Sequence, residues 1–484
     1  MKKLFCFITA LIISPTLSSQ NESDVLRLSM TDNLSTARVT SLGGSFSSLG
    51  GNSGSILSNP ATLASYRTNE FSASLSISNY EVESNFLNNR NNYNRLKINF
   101  QNISYVQSIP TQNNDGWNRL NYSFTYNRRT DLNRKFSVGG YNSESSRSNV
   151  FFNSAQGVEI DELQSSSDYL AYMTYLIDTL NATDNYISSV ENIGQNQYAI
   201  INEYGSIDDF DISVGSSYQD FIFLGASISF SSVDYTFQSR YLEDQFDIEQ
   251  DLNSWTYNEN LYVDGFGMNF MLGSIIKPAH FVRLGLAYHS RTYFDIEEFY
   301  ETSMSTYFNN GDNFYNDNVH ITSPYKINTP SKTIASLAVV IAKKGLLTFD
   351  LENIDYSKAN ISSDYHSGFQ PANNNITSYY TKTNNKKIGL EWKVKDFSLR
   401  GGYSVFGDPF RNNINSLKRE YISSGIGFQK NAYFFDFALV NLISSTKYLI
   451  YDDPTTINNI SQVVDLESSR MSFIFSCSYK FWRI

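Results

Sequence analysis

The heptapeptide Leu120-Asn-Tyr-Ser-Phe-Thr-Tyr126 decides the fold class of this chain. Successive side chains of an extended strand point to opposite faces. One face of this stretch therefore carries a leucine and three aromatic rings, and the other carries only hydroxyl and amide groups. A water-soluble β-sandwich would turn the apolar face inward. A membrane barrel turns that face outward to lipid and keeps the polar face in its lumen.

The same alternation continues along the chain and predicts fourteen strands after residue 70. They cover residues 70–80, 95–109, 118–128, 207–219, 221–241, 255–277, 281–300, 325–344, 345–357, 384–395, 397–406, 419–430, 432–449 and 468–482. An even strand number, with short turns and long loops in alternation, favours a closed barrel. The sequence therefore predicts an all-β fold, a fourteen-stranded antiparallel transmembrane β-barrel.

The joints between these strands fall into two classes. Tight joints, each between two apolar-patterned runs as hairpin turns should be, are Gln219-Asp220, 277–280, 343–345, Lys395-Asp396 and Lys430-Asn431, with 110–117 as a longer member. Long polar joints are 129–206, 242–254, 301–324, 358–383, 407–418 and 450–467. Because outer-membrane barrels have short periplasmic turns and longer extracellular loops, we expect the first set to face the periplasm and the second to face outward.

The N-terminus has the layout of a secretory signal peptide, which we assign to residues 1–19. Two lysines precede an apolar stretch, and the small residues Thr16, Ser18 and Ser19 follow it. Cleavage there removes Cys6 and leaves Cys477 as the one cysteine, so the mature chain has no intrachain disulfide. The longest later apolar run, 334–342, is about half of the ~20 residues that a membrane helix needs.

Composition agrees with an exported barrel located in the outer membrane of a Gram-negative cell. The mean hydropathy of −0.34 looks soluble, but a barrel hides its apolar residues in every second position. The 34 Tyr and 35 Phe suit the aromatic girdles of such barrels. A net charge of −11 disfavours nucleic-acid binding, which needs clustered Lys and Arg.

The sequence shows no catalytic or metal-binding pattern, so we expect neither enzyme activity nor a cofactor. The four histidines are His280 in a turn, His289 on a strand, and His320 and His366 in loops. None has the spacing of a Ser/His/acid triad or of a metal site. Acidic loop residues such as Asp452-Asp453 could hold calcium, but a solvated loop explains them better.

Residues 20–69 do not alternate and are predicted to form an N-terminal plug inside the lumen, with 70–484 as the barrel. Paired glycines in this stretch permit positive φ angles and close contacts, and Asn59-Pro60 is a turn signal. The segment is too small to be a separate domain. It has the size to fill a barrel lumen.

This stretch resembles the N-terminal hatch of the long-chain fatty-acid transporter family of Gram-negative outer membranes (FadL/TodX type), in particular its Bacteroidetes members. The matching residues are Gly43, Gly44, Phe46, Gly50 and Gly51, followed by Asn59, Pro60 and Ala61. Thr62 stands where the family usually has glycine. Fourteen is also the family's strand number, and Thr329-Pro330 and 345–356 look similar to later parts of the family pattern.

The resemblance implies passive uptake of hydrophobic small molecules, either long-chain fatty acids or aromatic compounds. In the family the ligand enters between extracellular loops, passes to a lumenal pocket and leaves through a gap in the barrel wall. That gap depends on an inward kink of the third strand, which the sequence of 118–128 does not reveal. Two alternatives are a binding or shuttle role in protein secretion, known for a side branch of the family, and a general porin.

The expected partners are a hydrophobic ligand, the outer-membrane lipid and the barrel-assembly machinery, with the barrel acting as a monomer. The last strand suits that machinery because Phe473, Phe475, Cys477, Tyr479 and Phe481 alternate along it. The three residues after Phe481 form a short extension.

Two groups of residues are candidates for ligand binding. A helix within 161–180, with Asp161 or Ser167 as its cap, could form an outer groove lined by Tyr169, Tyr172, Met173, Leu176 and Leu180. A lumenal pocket could be bordered by Phe46, Leu49, Ile56 and Leu57, with Asn59-Pro60-Ala61 fixing the turn that positions them. In both groups the alternative is that the side chains only pack, the helix onto its own loop and the others within the plug.

Overall fold

The computed structural model describes residues 21–482, apart from 112–115, 165, 181–183, 191–192, 249, 322–323, 343, 366–367, 412–415 and 453–461. The predicted signal peptide, His366, Asp453 and the last two residues lie outside the described residues. Strands dominate the described part.

The strands, numbered in chain order, are β1 Asn69–Phe86, β2 Asn89–Pro110, β3 Trp117–Asp131, β4 Arg134–Asn142, β5 Ile177–Thr179, β6 Tyr186–Ser188, β7 Gln195–Tyr218, β8 Ile222–Asp244, β9 Leu252–Ala279, β10 Val282–His289, β11 Tyr293–Phe308, β12 Asn313–Ile321, β13 Tyr325–Asn328, β14 Lys332–Ile341, β15 Gly345–Asp355, β16 Asn360–Ser362, β17 Lys382–Val394, β18 Phe397–Phe406, β19 Arg419–Lys430, β20 Tyr433–Leu449 and β21 Val463–Phe481. The helices are α1 Glu22–Ser29, α2 Ala37–Ser41, α3 Ser148–Ala155, α4 Ile160–Leu163, α5 Ser167–Met173 and α6 Gln370–Tyr379. Short 3-10 helices cover Ser53–Ser55, Pro60–Ser65 and Tyr356–Lys358.

All of these strands except β5 and β6 form one sheet that closes on itself when β1 pairs with β21. Neighbouring strands are antiparallel throughout. Four of the fourteen crossings are interrupted: β3 continues as β4, β10 as β11, β12 as β13 and β14, and β15 as β16. The predicted fourteen-stranded antiparallel barrel is confirmed.

The faces of the strands are inverted relative to a soluble protein, as the opening heptapeptide predicts. Tyr122 and Phe124 on its apolar face are 37% and 58% exposed, whereas Asn121 and Ser123 on its polar face are fully buried. Other strands repeat this pattern, for example Ile77 outside and Ser76 inside on β1. An apolar outer surface of this kind suits a lipid surround.

The predicted tight turns lie at one end of the barrel, together with the start of β1 and the end of β21. Gln219, Asp220, Lys395 and Asn431 take positive φ angles of 51° to 54°. These left-handed conformations let two-residue connections reverse the chain between antiparallel strands. One further tight hairpin, at Leu87-Asn88, lies at the opposite end and was not predicted.

The barrel wall is tall on one side and low on the other. β9 has 28 residues, whereas β18 has 10. On the tall side, residues that were predicted to be loops are strands. The predicted loop 301–324 contains the end of β11 and all of β12, so His320 lies on a strand. Asn, Asp and Ser in these extensions look like loop residues in the sequence, but pairing with long neighbours keeps them in the sheet.

The long connection 129–206 is also more structured than predicted. β3 and β4 extend into it, and a cluster of apolar side chains from α3, α4, α5 and the strand extensions forms a core there. The helix expected within 161–180 is instead α4 and α5, followed by the small β5–β6 hairpin. Tyr175, with φ +57°, ends the helical stretch, and Ser166 caps α5 in place of Asp161 or Ser167.

The N-terminal segment, residues 21–68, contacts inward-facing side chains from strands all around the closed sheet. These contacts are made on the lumenal face of the wall. The segment contains α1, α2 and two of the short 3-10 helices. Among the described residues, helices are too short or too polar to cross a membrane.

Candidate functional site

The N-terminal segment is anchored to the wall by the carboxylate of Asp350, which is buried on β15. Backbone N–H groups of Phe46 and Ser47 donate to its Oδ2 at 3.2 and 3.1 Å, and the hydroxyls of Ser45 and Ser47 donate at 3.1 and 2.6 Å. Gly43 and Gly44, with φ of +64° and +72°, turn the chain so that these donors converge. The glycine-rich motif thus wraps one acidic side chain of the barrel.

Glycines of the wall give this segment room. A Cβ on Gly402 of β18 would overlap with the backbone of Leu42 and Gly43, and one on Gly425 of β19 would meet Ser41. Gly401, the neighbour of Gly402, points the other way and has nothing within 4 Å of a built Cβ. The inward glycines are therefore sites where the wall and the segment touch directly.

A chain of ion pairs makes a second anchor. Arg38 of α2 binds Glu391 of β17 at 2.8 Å, and Arg400 of β18 binds both Glu391 at 2.5 Å and Asp436 of β20 at 2.6 Å. These groups are largely shielded from solvent, where an unpaired charge costs several kcal/mol. The ion pairs fix α2 against three strands.

Asn59 holds the turn that the sequence assigned to Asn59-Pro60-Ala61. Its Oδ1 accepts from the N–H of Ala61 at 3.0 Å, and its Nδ2 donates to the carbonyls of Ser47 and Ser274 at 2.8 and 3.3 Å. Pro60 is the first residue of the 3-10 helix that Asn59 caps. This turn ties two parts of the segment to β9.

The bulky residues of the segment are divided between packing and a cavity. Phe46 and Leu49 pack with Leu42 and Ala338, and Ile56 packs with Leu63, Tyr66 and Val106. Leu57 alone of the four predicted pocket residues lines a lumenal cavity. The structure therefore places Phe46, Leu49 and Ile56 at the contact between segment and wall.

The residues predicted to line an outer groove do not share one helix face. Leu176 is buried in the core of the long connection, and Tyr169 and Tyr172 pack partly against that core. Met173 and Leu180 are exposed, 39% and 44% respectively. The break at Tyr175 separates Leu176 and Leu180 from α5, so the five side chains are not brought together.

Two cavities lie beside the N-terminal segment. The inner cavity, about 130 Å³, is bordered by Leu28, Leu57 and Ile354 and by the charged residues Arg129, Asp209, Lys332, Glu352 and Lys387. The gap cavity, about 300 Å³, is bordered by Leu26, Met30, Val82 and Leu442 and by Arg27, Asp131, Arg134, Glu203, Arg419 and Arg470. Both are more polar than the apolar pocket expected from the sequence.

Asp32 lines both cavities. Its carboxylate accepts from Arg470 Nη1 at 2.9 Å, and Arg419 Nη1 lies 3.9 Å away. Burial alone would raise the pKa of Asp32, but the charges of Arg470 and Arg419 hold that pKa below its usual range. Asp32 is therefore ionised at neutral pH.

The barrel wall is incomplete between β2 and the third crossing. Residues 102–110 of β2 pair with 119–127 of β3, but in the described strands residues 89–101 of β2 pair with β1 alone. The register of β3 against β7 shifts between Arg128 and Thr130, and the strand breaks before β4. Such a bulge bends a strand, and it lies at the end of 118–128, whose sequence does not predict it. We call the stretch without backbone pairing, between 89–101 and 128–142, the wall gap.

Polar side chains bridge the wall gap. Asn99 donates to Asp131 at 2.8 Å and accepts from Arg128 at 2.8 Å, and Gln101 donates to the carbonyl of Arg128 at 3.0 Å. Lys97 also bonds Asn133. Ile98 and Phe100 alternate with these polar residues and are exposed on the apolar outer surface. This end of the wall gap is therefore at the same height along the barrel as the apolar outer surface. Asp131 and Asn133 also line the gap cavity, which thus reaches the wall gap.

Sequence reasoning missed Asp32, Asp350 and Arg470. A signal for the last two does exist, because each is a charged residue at an inward-facing position of a strand. Among the described residues, no group of three or more His, Cys, Asp or Glu is placed to hold a metal ion. His289 is buried and contacts the Ser58 carbonyl at 3.0 Å.

Comparison with solved structures shows the same fold in outer-membrane transporters. The toluene transporter TodX of P. putida is 14% identical, with 93% of this chain and 99% of that chain covered and a TM-score of 0.54. A FadL homologue of Pseudomonas aeruginosa is 11% identical, with 93% and 99% covered and a TM-score of 0.55. The toluene transporter TbuX of Ralstonia pickettii is 13% identical, with 92% and 98% covered and a TM-score of 0.50.

The predicted resemblance to the FadL/TodX type is thus matched at the level of the fold. No protein-family model matches the chain, and no curated protein matches it in sequence. The similar structures come from Pseudomonas and Ralstonia, so the likeness to Bacteroidetes members stays a prediction.

Proposed function

We propose that this chain is an outer-membrane transport protein for the passive uptake of hydrophobic small molecules, and not an enzyme. The observation that carries the proposal is the wall gap next to a lumenal cavity, in a barrel whose centre is filled. Structures with this fold include proteins named as toluene transporters and a FadL homologue. The candidate ligands are therefore aromatic compounds and fatty acids.

The anchored N-terminal segment supports a lateral exit over a straight path through the barrel. We regard residues 20–69 as a plug, since Asp350, Arg38 and Asn59 each fix a different part of it to the wall. Moving the whole segment would break all of these contacts at once. Opening the wall gap breaks no backbone ladder between residues 89–101 of β2 and β3, because side chains of β2 make the bonds between them.

A hydrophobic ligand also gains from leaving sideways. Apolar surface is favoured in lipid over water by about 25 cal/mol per Å². A ligand that leaves at the level of Ile98 and Phe100 meets the apolar outer surface of the barrel directly. It therefore enters the membrane without crossing the aqueous periplasm.

Uptake by cells tests this proposal. Cells that produce the chain should accumulate radiolabelled toluene or oleate faster than cells without it. Planar bilayers separate the porin alternative, because a filled barrel should pass no large steady current. Large steady currents, or uptake equal to that of cells lacking the chain, would refute the proposal. Co-purification with secretion proteins would favour the shuttle role.

Surface labelling tests the proposed orientation. The turn at Gly311 joins β11 to β12 at the end opposite to the short turns, and nothing lies within 4 Å of a Cβ built there. An epitope tag inserted at Gly311 should bind antibody on intact cells. A tag in the turn at Asn431 should bind only after the outer membrane is permeabilised. The reverse result would invert the topology.

A further inference from the structure

The hairpin of β11 and β12 has one free edge. Residues 299–307 of β11 pair with 313–321 of β12, and among the described strands β12 pairs with β11 alone. β13, which continues the same crossing, is paired on both sides, with β11 and β16. The free edge of β12 is 9 residues long, or about 30 Å of extended chain. An unpaired strand edge of this length is a template to which another extended chain can add.

The backbone groups along the free edge follow from the turn of the hairpin. The N–H of Phe308 donates to the carbonyl of Asp312 at 2.9 Å. Because hydrogen-bonded and non-bonded partners alternate along antiparallel strands, the even-numbered residues of 314–320 bond to β11. The odd-numbered residues therefore direct their N–H and carbonyl groups to the free edge. These residues are Tyr315, Asp317, Val319 and Ile321.

The same four side chains lie on the outer face of the hairpin and are exposed. Tyr315 is 65%, Val319 47% and Ile321 80% exposed, and Asp317 is exposed as well. The inner face of β12 packs against α5 instead. The hairpin is therefore supported from inside, while its outer face is open to solvent.

Acidic side chains surround the free edge on the outer face. Glu297 and Glu301 lie on this face of β11, and Asp264 of β9 is the cross-strand partner of Glu297. Asp317 adds a carboxylate on β12 itself. All four acids lie farther from the short turns than the exposed ring of Tyr293 does. Because like charges on neighbouring strands repel each other, a chain with basic side chains that binds here relieves this repulsion.

A second copy of this chain is poorly suited to the free edge. Two barrels in one membrane stand in the same orientation, so their β12 strands run in the same direction. Parallel pairing is slightly less stable per residue than antiparallel pairing, and both copies bring the same acids to the contact. A different polypeptide is free to run in the antiparallel direction and to carry the opposite charge.

We propose that the free edge of β12 is a docking site for an extended segment of another polypeptide, which adds as an antiparallel strand. Its outward side chains are apolar beside Val319 and Ile321 and basic beside Asp317. Main-chain hydrogen bonds supply the affinity in this mode of recognition, and the side chains supply the selectivity. The docking site goes beyond the proposed uptake of small molecules and does not depend on it.

Binding of a fluorescent peptide to the purified full-length barrel in detergent tests the site. The probe is dye-labelled acetyl-Thr-Val-Thr-Val-Thr-Lys-Thr-Lys-Thr-amide, whose valines and first lysine match the order Ile321, Val319, Asp317 in the antiparallel direction. A second peptide has glutamate in place of both lysines. In low salt we expect the lysine peptide to bind about tenfold more tightly than the glutamate peptide, and added salt should reduce this preference.

Variants of β12 test whether the peptide uses the free edge. Val319→Pro removes an N–H that points to the free edge and leaves the bonds to β11 in place. Val319→Thr is the matched control, because it keeps both the N–H and the branched side chain. We expect Val319→Pro to weaken binding of the lysine peptide about tenfold and Val319→Thr to change it less than about twofold. Asp317→Asn should reduce the preference for lysine about threefold.

Methylated peptides test the same point without changing the barrel, so the result stands even if Val319→Pro disturbs the hairpin. N-methyl groups on the second valine and first lysine remove donors that face β12. N-methyl groups on the two threonines that follow these residues remove donors that face away. We expect the first peptide to lose about tenfold in affinity and the second to lose less than about twofold.

Three results would overturn the proposal. They are the absence of binding by the lysine peptide, equal binding of the two methylated peptides, and equal binding to Val319→Pro and Val319→Thr when both variants keep the parent's circular dichroism. Sedimentation of the barrel without peptide tests the other occupant. A parent that is dimeric while Val319→Pro is monomeric would assign the edge to a second copy and would also overturn the proposal.

Discussion

Two parts of the N-terminal segment, residues 33–66 and residues 21–32, are held in different ways. Residues 33–66 are held by the wall itself: Asp350 binds backbone N–H groups, and wall glycines admit the segment to direct contact. Residues 21–32, which include α1, border the two cavities, where Asp32 makes ion pairs with Arg470 and Arg419. Residues 33–66, which we call the fixed part, are bound firmly to the wall. Residues 21–32 lie next to the gap cavity, which reaches the wall gap. Under the proposed function, this difference means that blocking the lumen and controlling an exit are separate tasks of the two parts.

The largest expected effect comes from removing the Asp350 carboxylate, which holds the fixed part to the wall. Asp350→Ala leaves the N–H groups of Phe46 and Ser47 without their acceptor in a buried place. We expect the free energy of unfolding in micelles to fall by about 3 kcal/mol. Protease cleavage within residues 33–66 should become detectable.

Asp234→Ala is the control for that substitution, because Asp234 is an exposed acid on β8. It should leave the free energy of unfolding within about 0.5 kcal/mol of the parent. If Asp350→Ala resembled this control, the anchor would not hold the segment.

Two adjacent glycines sharpen the comparison with a smaller effect. Gly402→Ala places a methyl group against Leu42 and Gly43 of the fixed part. The methyl group of Gly401→Ala points into open space. Overpacking typically costs about 1–3 kcal/mol, so thermal unfolding should show a loss of this size for Gly402→Ala. Equal melting of the two variants would mean that the segment does not press on the wall at this point.

The smallest effect concerns pH, where two acids should behave differently. Burial raises the pKa of Asp168, in α5 of the long connection, to about 6. An acid with a raised pKa in the folded state loses stability as pH rises from its unfolded value near 4 to about 6. The amides of α5, corrected for the intrinsic exchange rate, should therefore exchange more slowly at pH 5 than at pH 7.5, and Asp168→Asn should remove this dependence.

Asp32 should show the opposite behaviour over the same range. Although burial opposes it, the pairing with Arg470 lowers the pKa of Asp32 from its ordinary value. Its contribution to stability is thus complete above pH 4 and is lost only as pH falls through the lowered value. Exchange of the amides of 129–131, corrected for the intrinsic rate, should be the same at pH 7.5 and pH 5. A change at these amides but not in α5 would contradict both assignments.

The sequence predicts the barrel well because its signal is repeated. Each strand shows the same alternation as Leu120–Tyr126, and the tight turns fall where left-handed residues such as Asn431 permit them. The strand extensions were harder to predict. Residues 313–321 carry polar side chains on both faces, among them Asn316, Asp317 and Asn318, and their pairing with β11 keeps them extended.

The candidate site was less predictable because its residues meet only through closure of the barrel. Asp32 and Arg470 are separated by 438 positions, and neither has a local pattern around it. The chain turns at Tyr175, so the residues predicted to line a groove at 169–180 are not on one helix. The helical spacing of apolar residues in the sequence does not predict such a turn. The gap in pairing between β2 and β3 depends on a bulge at Arg128–Thr130, which local propensity does not specify.

The most direct test of the account is to tie the wall gap shut and measure uptake. Asn99→Cys and Asp131→Cys, with Cys477→Ser, place two thiols across the wall gap, where the parent side chains lie 2.8 Å apart. Ser104→Cys with Thr125→Cys is the control, because these two residues are partners in the part of the β2–β3 ladder where the backbones are paired. A short, reducible thiol cross-linker should lower uptake of radiolabelled oleate or toluene at least about tenfold in the first variant and leave the second unchanged, and dithiothreitol should restore the first. Undiminished uptake through a cross-linked wall gap would contradict lateral exit.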